Sequence, residues 1–348
     1  MRTKNKNAAG CAWLLASGLL FSNARAADPP DGTPAEPVAI EVFQEARPVS
    51  GPGHGIFPWK DRNEGGWVVL NMMISPKGKA YEVSVLDSSG TPDFEEAAVK
   101  SMDRVRFQPA RSAGTPVDSS LTLKMVFYQS GARGVTPSFQ SAYHQVIQGI
   151  VAGERAQVDA QLAKLKVENP YEDAVRSFVQ SLYDEKWGTE AQQLVDLGRA
   201  VAGDNEGEYL PKPLFVRALM SKLFLEVKSA HYGNALNTWK DLKADAPADM
   251  RKTLQQTIDE IAAIRASDKA VRTSESIDNH LSWNGRLFKN TFALSVSHGT
   301  VSEIKLRCKK KYLFFKYEAG IQYTISPNAG DCSIEVVGDA GTTFDLLQ

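Results

Sequence analysis

The sequence predicts an α+β protein of several domains: a small β-β-α-β domain, an α-helical, repeat-like region, and a small all-β domain closed by a disulfide. Three observations indicate this order. Apolar and polar residues alternate after Trp67, then follow a helical period, and then alternate again up to Phe127. Residues 138–267 lack a convincing strand pattern, and residues 275–348 hold short apolar runs between turn residues.

Composition limits the class of partner. The 348 residues suffice for two or three domains, and the formal net charge is -1. A chain starting at Ala27 would carry -5, because the first 26 residues contain four basic side chains and no acid. This balance argues against nucleic acid or another polyanion as the partner.

Residues 1–26 have the pattern of a secretion signal. Three basic residues precede an apolar stretch, Cys11–Phe21, and Ala24-Arg25-Ala26 offers a small-x-small cleavage site. The stretch is too short to cross a bilayer, which takes about 20 residues. We therefore expect a cleaved signal and a periplasmic protein. The alternative is an uncleaved anchor that holds the protein in the inner membrane, facing the periplasm.

The next segment, residues 27–53, contains six prolines among small and acidic residues. This composition predicts an extended tether without a folded element. Even as polyproline II, about 20 of these residues at roughly 3.1 Å each reach only about 60 Å.

Residues 54–130 contain the elements of the β-β-α-β domain. Its first strand begins at Trp67 and leads into a turn with Pro76 and Gly78, where the glycine suits a positive φ or a bulge. The expected core-facing residues are Val68, Leu70, Met72 and Ile74 on the first strand, and Tyr81, Val83 and Val85 on the second.

One apolar stripe predicts the helix of this domain: Phe94, Ala97, Ala98, Ser101, Met102 and Val105. Pro92 suits its first turn, and acidic residues follow at the positive end of the helix dipole. A third strand, residues 117–128, comes after the turn at Gly114. We expect Val117, Leu121, Leu123, Met125 and Phe127 to face inward, against Asp118, Ser120, Thr122 and Lys124.

Several short motifs of this domain resemble the TonB carboxy-terminal family. They are Gly66-Trp67-Val68-Val69-Leu70, Pro76-Lys77-Gly78, Val83-Ser84-Val85-Leu86, Ser88-Ser89-Gly90, Phe94-Glu95-Glu96-Ala97-Ala98 and Arg106-Phe107-Gln108-Pro109-Ala110, with Phe57-Pro58 before them. The resemblance covers about residues 55–130. It implies a docking domain of the cell envelope, whose sheet edge accepts an extended segment of an outer-membrane transporter as an added strand.

By this analogy the exposed edge is the 117–128 strand. The implied partner-binding residues are Leu121, Leu123, Lys124, Met125 and Phe127. The charges of Asp118 and Lys124 also fit a plainer interpretation, in which they keep an exposed edge from aggregating.

The chain departs from an energy transducer of that family in three respects. Its apolar amino-terminal run contains no histidine and ends in a cleavage site, its tether is short, and a long sequence follows the family-like domain. We therefore expect a periplasmic binding or adaptor protein that docks envelope proteins through a sheet edge and a helical surface. The alternatives are an energy transducer held by an uncleaved anchor, and an enzyme of unrecognised class.

The helical region, residues 138–267, contains a loosely repeated pattern. A small or aromatic residue and a glycine precede a helix at Ala152-Gly153, Trp187-Gly188 and Tyr232-Gly233. Their spacing is close to that of helical-hairpin repeats, so the region weakly resembles tetratricopeptide repeats. An irregular helical bundle is the alternative.

The last domain, residues 275–348, has the strand spacing of a small antiparallel sandwich or barrel. Cys308 and Cys332 are the cysteines that remain after removal of the signal. In an oxidising compartment we expect them to pair, closing a loop of about 25 residues worth roughly 3 kcal/mol in the loop-entropy model. The alternative is a pair of buried free thiols.

No motif for catalysis or metal binding is present in the sequence. The five histidines are scattered, and neither a nucleophile elbow nor a phosphate-binding glycine loop occurs. We therefore predict no catalytic residue, no metal and no cofactor. A basic run, Arg307 with Lys309–Lys311, is interpreted as the solvated face of a strand, with an anionic lipid or an acidic partner as the alternative.

Overall fold

The computed structural model describes residues 43–49, 66–89, 92–127, 134–202, 208–278 and 280–348. The predicted signal peptide, most of the predicted tether and the Phe57-Pro58 motif lie outside the described residues. Residues Glu41–Gln348 form one compact unit. Within it we distinguish the amino-terminal domain (residues 43–127), the helical region (134–266) and the carboxy-terminal domain (272–347).

The amino-terminal domain is a three-stranded antiparallel sheet covered by one helix, in strand order β4-β3-β8. The strands are β1 (Phe43–Gln44), β2 (Arg47–Pro48), β3 (Gly66–Ile74), β4 (Ala80–Ser88), β5 (Phe107–Gln108), β6 (Ala110–Ser112), β7 (Thr115–Val117) and β8 (Ser119–Phe127), and the helix is α1 (Pro92–Ser101). The core between helix and sheet contains Val68, Leu70, Met72, Ile74, Phe94, Ala98, Met102, Met125 and Phe127. The predicted β-β-α-β order is therefore present.

The fold of this domain begins before residue 54. Strand β1 pairs with β6, and β2 pairs with β5. Ala46 is buried in the core and Phe43 packs against it. Burial of these two apolar side chains favours folding of residues 43–49, which the sequence had predicted as part of the extended tether.

Two strand predictions need correction. The predicted 117–128 strand is divided at Asp118, because β7 pairs with β6 whereas β8 pairs with β3. Tyr81 does not share a face with Val83 and Val85, because the β3–β4 register shifts next to Glu82, which has a φ of +49°. This β-bulge turns Tyr81 away from the core.

The helical region consists of α2 (Pro137–Ala152), α3 (Arg155–Leu162), α4 (Pro170–Trp187), α5 (Glu190–Val201), α6 (Lys212–Lys228), α7 (Tyr232–Leu242) and α8 (Ala248–Ala266). Sequence neighbours pack as α2–α3, α4–α5 and α6–α7. The three glycines of the loose pattern have different roles. Gly153 and Gly188 end α2 and α4, whereas Gly233 lies in the first turn of α7. The repeat interpretation remains a prediction.

The carboxy-terminal domain is a sandwich of two four-stranded antiparallel sheets, ordered β10-β15-β12-β13 and β14-β11-β16-β9. Its strands are β9 (Arg272–Ser276), β10 (Ser282–Arg286), β11 (Thr291–His298), β12 (Val301–Cys308), β13 (Tyr312–Lys316), β14 (Gln322–Thr324), β15 (Cys332–Gly338) and β16 (Thr343–Leu347). Cys308 and Cys332 lie opposite each other on β12 and β15 and form the predicted disulfide.

Candidate functional site

Strand β8 lies at one end of the amino-terminal sheet. Its nine residues pair with β3 from Ser119–Ile74 to Phe127–Gly66 without a register shift. On its second side, no strand within the described residues pairs with it. A long, regular edge of this kind offers main-chain donors and acceptors to an added strand.

The five predicted partner-binding residues lie on both faces of β8. Met125 and Phe127 are buried in the core beneath α1, and Leu121 and Leu123 are half-buried against the same core. Lys124 points to the opposite face. The role of these residues in partner binding remains a prediction, and Leu121, Leu123 and Lys124 are the three that keep some exposure.

The helical region covers the second half of β8. The Lys124 ammonium lies 4.8 Å from the ring centre of Trp67 and 5.5 Å from that of Tyr209, which precedes α6. Both distances are within the range of a cation–π contact. Nearby, burial raises the pKa of Asp173 on α4, and the charge of Lys124 offsets part of that rise. The segment Ser120–Leu123, which contains exposed Thr122, is therefore the more accessible part of the edge.

The opposite edge strand, β4, is contacted at its bulge by the carboxy-terminal domain, which also approaches β8 through β12. At the bulge, the Glu82 carbonyl accepts a hydrogen bond from Arg307 Nε at 2.9 Å, and the Glu82 carboxylate accepts one from the Tyr312 hydroxyl at 2.9 Å. Arg307 is only 2% exposed. The prediction of a solvated basic face is therefore wrong for Arg307, because tertiary packing buries it, while Lys311 is exposed.

Strand β3 is buried on both faces. Beside the predicted inward residues, Trp67, Val69, Asn71 and Met73 are buried on the outer face. Asn71 Nδ2 donates to Ser333 Oγ of the carboxy-terminal domain at 3.1 Å. Sequence reasoning missed this contact, although the nearly continuous apolar run Gly66–Ile74 is the pattern of a strand covered on both sides.

Comparison with known families identifies this domain. The family model of the Gram-negative bacterial TonB protein C-terminal matches residues 59–128. This segment is a TonB C-terminal domain. The solution NMR structure of the Pseudomonas aeruginosa TonB CTD is similar at 22% identity, over 26% of this chain and 91% of that chain, with a TM-score of 0.22. No protein of curated function matches the chain.

A two-pronged ion pair also joins the TonB C-terminal domain to the helical region. Arg199 on α5 donates from Nε and Nη2 to the two oxygens of Asp87 on β4, at 2.9 and 3.0 Å. This hydrogen bond raises the pKa of Arg199, although burial opposes it. Both side chains keep about a third of their exposure, so the bidentate geometry contributes more to orientation than to stability.

A carboxyl pair lies beside this ion pair. The pKa of Asp196 is raised to about 7, chiefly by burial. The hydrogen bond with Asp184 and the negative charge of Asp184 add to the rise. Arg199 counteracts part of the rise. The contact between α4, α5 and the TonB C-terminal domain therefore contains a group that titrates near neutral pH.

Two absences are features of the described part of the chain alone. No cluster of three or more His, Cys, Asp or Glu residues there could hold a metal ion. None of its helices has both the length and the apolarity required to cross a membrane.

Proposed function

We propose that this chain is a periplasmic binding or adaptor protein, in which the TonB C-terminal domain binds an extended segment of another envelope protein as a fourth strand beside β8. The observation that carries the proposal is the difference between the two sheet edges. Strand β4 is bulged and held by Arg307 and Tyr312, whereas β8 is regular and ends the sheet.

The segment Ser120–Leu123 is the part of β8 where an added strand is expected to pair, because its side chains keep some exposure. The incoming main chain would supply hydrogen bonds, which give affinity with little dependence on sequence. Selectivity would come from alternate side chains of the partner, which would meet half-buried Leu121 and Leu123 on one face and exposed Thr122 on the other. An apolar position every second residue is therefore expected in the bound segment.

The helical region supplies a second surface for the adaptor role. The contact between Glu190 and Lys228 joins the start of α5 to the end of α6, so the two helices run antiparallel. Val195 on α5 and Phe224 on α6 are 50% and 66% exposed. Large apolar side chains exposed on a helical surface are candidates for protein contact. Two contacts with one partner, or with two tethered partners, gain from effective concentration.

Site-specific photocrosslinking in intact cells tests strand addition. A photoreactive amino acid at Thr122 should capture an envelope protein, because Thr122 is the exposed residue of β8. The matched control is Lys77, which is exposed in the β3–β4 turn of the same domain. Mass spectrometry of the crosslinked peptide should place the captured residue in an extended apolar–polar segment. Equal capture from Lys77 and Thr122, or capture of a helix, would contradict the proposal.

A further inference from the structure

A cavity of about 240 Å³ lies between the helical region and the carboxy-terminal sandwich. Its walls come from α7, the end of α8, β10 and the start of β15. The apolar part of the wall contains Leu236, Trp239 and Leu287, and the polar part contains Lys240, Arg265, Arg286 and Asp331. The volume is below the roughly 300–1,000 Å³ of sites for drug-sized ligands, so it suits a smaller molecule.

The position of this cavity follows from a close contact between α7 and β10. A Cβ at Gly233 would lie 2.5 Å from the carbonyl oxygen of Arg286, so only glycine lets the helix approach the strand this closely. The adjacent Tyr232 ring packs on Phe288, with centroids 5.2 Å apart. These contacts fix the base of the cavity on two rigid elements.

Arg286 is the unusual group in the wall. Its guanidinium forms no hydrogen bond or ion pair with any residue that the structure describes. Burial lowers the pKa of Arg286, and the charges of Asp331, Asp241 and Glu226 compensate only in part. A desolvated guanidinium without a bound acceptor is costly, and it is a strong donor for an oxyanion.

The acids around Arg286 are already engaged or desolvated. Asp331 accepts from Lys240 at 2.9 Å and pairs with Arg265 at 3.4 Å. Burial would raise the pKa of Asp331, but the hydrogen bond from Lys240 and the two positive charges outweigh it and lower the pKa. Glu226 pairs with Lys222, and burial raises the pKa of Asp241.

The charges in the wall and directly around it therefore leave a positive excess. Lys222, Lys240, Arg265 and Arg286 carry positive charge, against Asp241, Glu226 and Asp331. A ligand with one negative charge would balance the cluster. A planar carboxylate matches the guanidinium fork, and the apolar walls can bury a short hydrocarbon body.

We propose that this cavity binds a small monocarboxylate, with the carboxylate on Arg286 and a short apolar body against Leu236, Trp239 and Leu287. The site is independent of strand addition at β8, since it lies at the other end of the helical region and uses none of the same residues. Failure of one proposal leaves the other unaffected.

Saturation-transfer difference NMR with the purified, oxidised protein tests the site. Butyrate is the probe, and butyramide is the control, because it keeps the shape of butyrate without the charge. We expect saturable butyrate binding with a Kd below about 5 mM, and binding of butyramide at least about tenfold weaker. Equal binding of the two compounds, or no binding of butyrate, would overturn the proposal. Tighter binding of inorganic phosphate than of butyrate would overturn the assignment of a carboxylate.

Substitution of Arg286 separates binding from folding. Arg286→Gln should weaken butyrate binding at least about tenfold and leave the thermal unfolding midpoint nearly unchanged, because the guanidinium has no partner to lose within the described chain. Arg286→Lys keeps the charge but not the fork, so it should weaken binding to a smaller extent. If neither variant weakens binding, Arg286 does not hold the carboxylate and the proposal is wrong.

Discussion

Arg307 donates a hydrogen bond from Nε to the main-chain oxygen of Glu82 at 2.9 Å, across 225 residues of sequence. Its Nη1 also pairs with Glu335 at 2.7 Å, and the two side chains are 2% and 8% exposed. The bulge of β4 and the sandwich sheet are therefore joined through one buried, doubly engaged guanidinium. The same contact occupies the bulge of β4, whereas β8 is regular and has no paired strand on its second side within the described residues.

Arg307→Met should lower the free energy of unfolding by about 3–5 kcal/mol, because it leaves the Glu335 carboxylate buried without its cation. Urea denaturation of the oxidised protein measures the change. Lys311→Met is the control, since Lys311 is exposed, and should change stability by less than about 0.5 kcal/mol. A loss below about 1 kcal/mol for Arg307→Met would show that the pair is not buried in solution.

The double variant Arg307→Met/Glu335→Met should recover a large part of that loss. Removing both charges also removes the cost of burying an unpaired one, and the two methionines can pack in the vacated space. Urea midpoints of the two single variants and the double variant complete the cycle. Additive losses would mean that the two side chains do not interact.

Replacement of both cysteines, Cys308→Ala with Cys332→Ala, should lower the free energy of unfolding by about 2–5 kcal/mol. The oxidised chain has the pair opposite each other on β12 and β15. Non-reducing peptide mapping should recover a single linked peptide containing both residues. Two alkylatable thiols in the native protein would contradict this pairing.

Asp196→Asn should stabilise the protein at pH 8 and have little effect at pH 5. The pKa of Asp196 rises from 3.8 to about 7 in the fold, so the folded state binds this proton more tightly than the unfolded chain. Stability contributed by the group is present at low pH and is lost as pH rises from about 4 to about 7. Since Asp196 is partly exposed, solvent screening limits the effect at pH 8 to about 1 kcal/mol.

Urea midpoints at pH 5, 6, 7 and 8 measure this dependence. The difference between Asp196→Asn and the wild type should grow from pH 5 to pH 7 and level off by pH 8. Glu260→Gln on the exposed side of α8 is the control, and its difference from the wild type should stay constant. A constant difference for Asp196→Asn as well would show that Asp196 is ionised throughout.

Expression of this protein in a strain deleted for its energy transducer should not restore uptake of an iron chelate. Force transfer from the inner to the outer membrane needs an anchor and a long stalk, and the sequence predicts a cleaved signal and a tether of about 60 Å. Re-expression of the strain's own transducer is the positive control. Restored uptake would favour the transducer alternative over an adaptor.

Local sequence patterns were sufficient for most elements. The alternation of Val68, Leu70, Met72 and Ile74, and the stripe from Phe94 to Met102, correctly predicted the core of the TonB C-terminal domain. The cysteine count correctly predicted the bond between Cys308 and Cys332. These features depend on neighbours within a strand, a helix or a short loop, which a sequence records directly.

Contacts between distant parts of the chain could not be predicted. Alternation predicts the wrong face for Tyr81 because it does not reveal the bulge at Glu82, whose hydrogen-bond partners Arg307 and Tyr312 lie far along the chain. Arg307 itself carries no local sign of burial, because basic residues on a strand usually face water. The lone guanidinium of Arg286 likewise became apparent only when α7, β10 and β15 were brought together.

The buried outer face of β3 imposes an order on biosynthesis. Asn71 and its hydrogen-bond partner Ser333 are 262 residues apart, so the outer face of β3 stays uncovered until the chain has emerged as far as β15. Until the helical region and the sandwich have both docked, Trp67, Val69 and Met73 lie on an uncovered face of the sheet. A holdase chaperone that recognises apolar strands therefore has a target during that interval, and the target disappears once both regions cover the sheet.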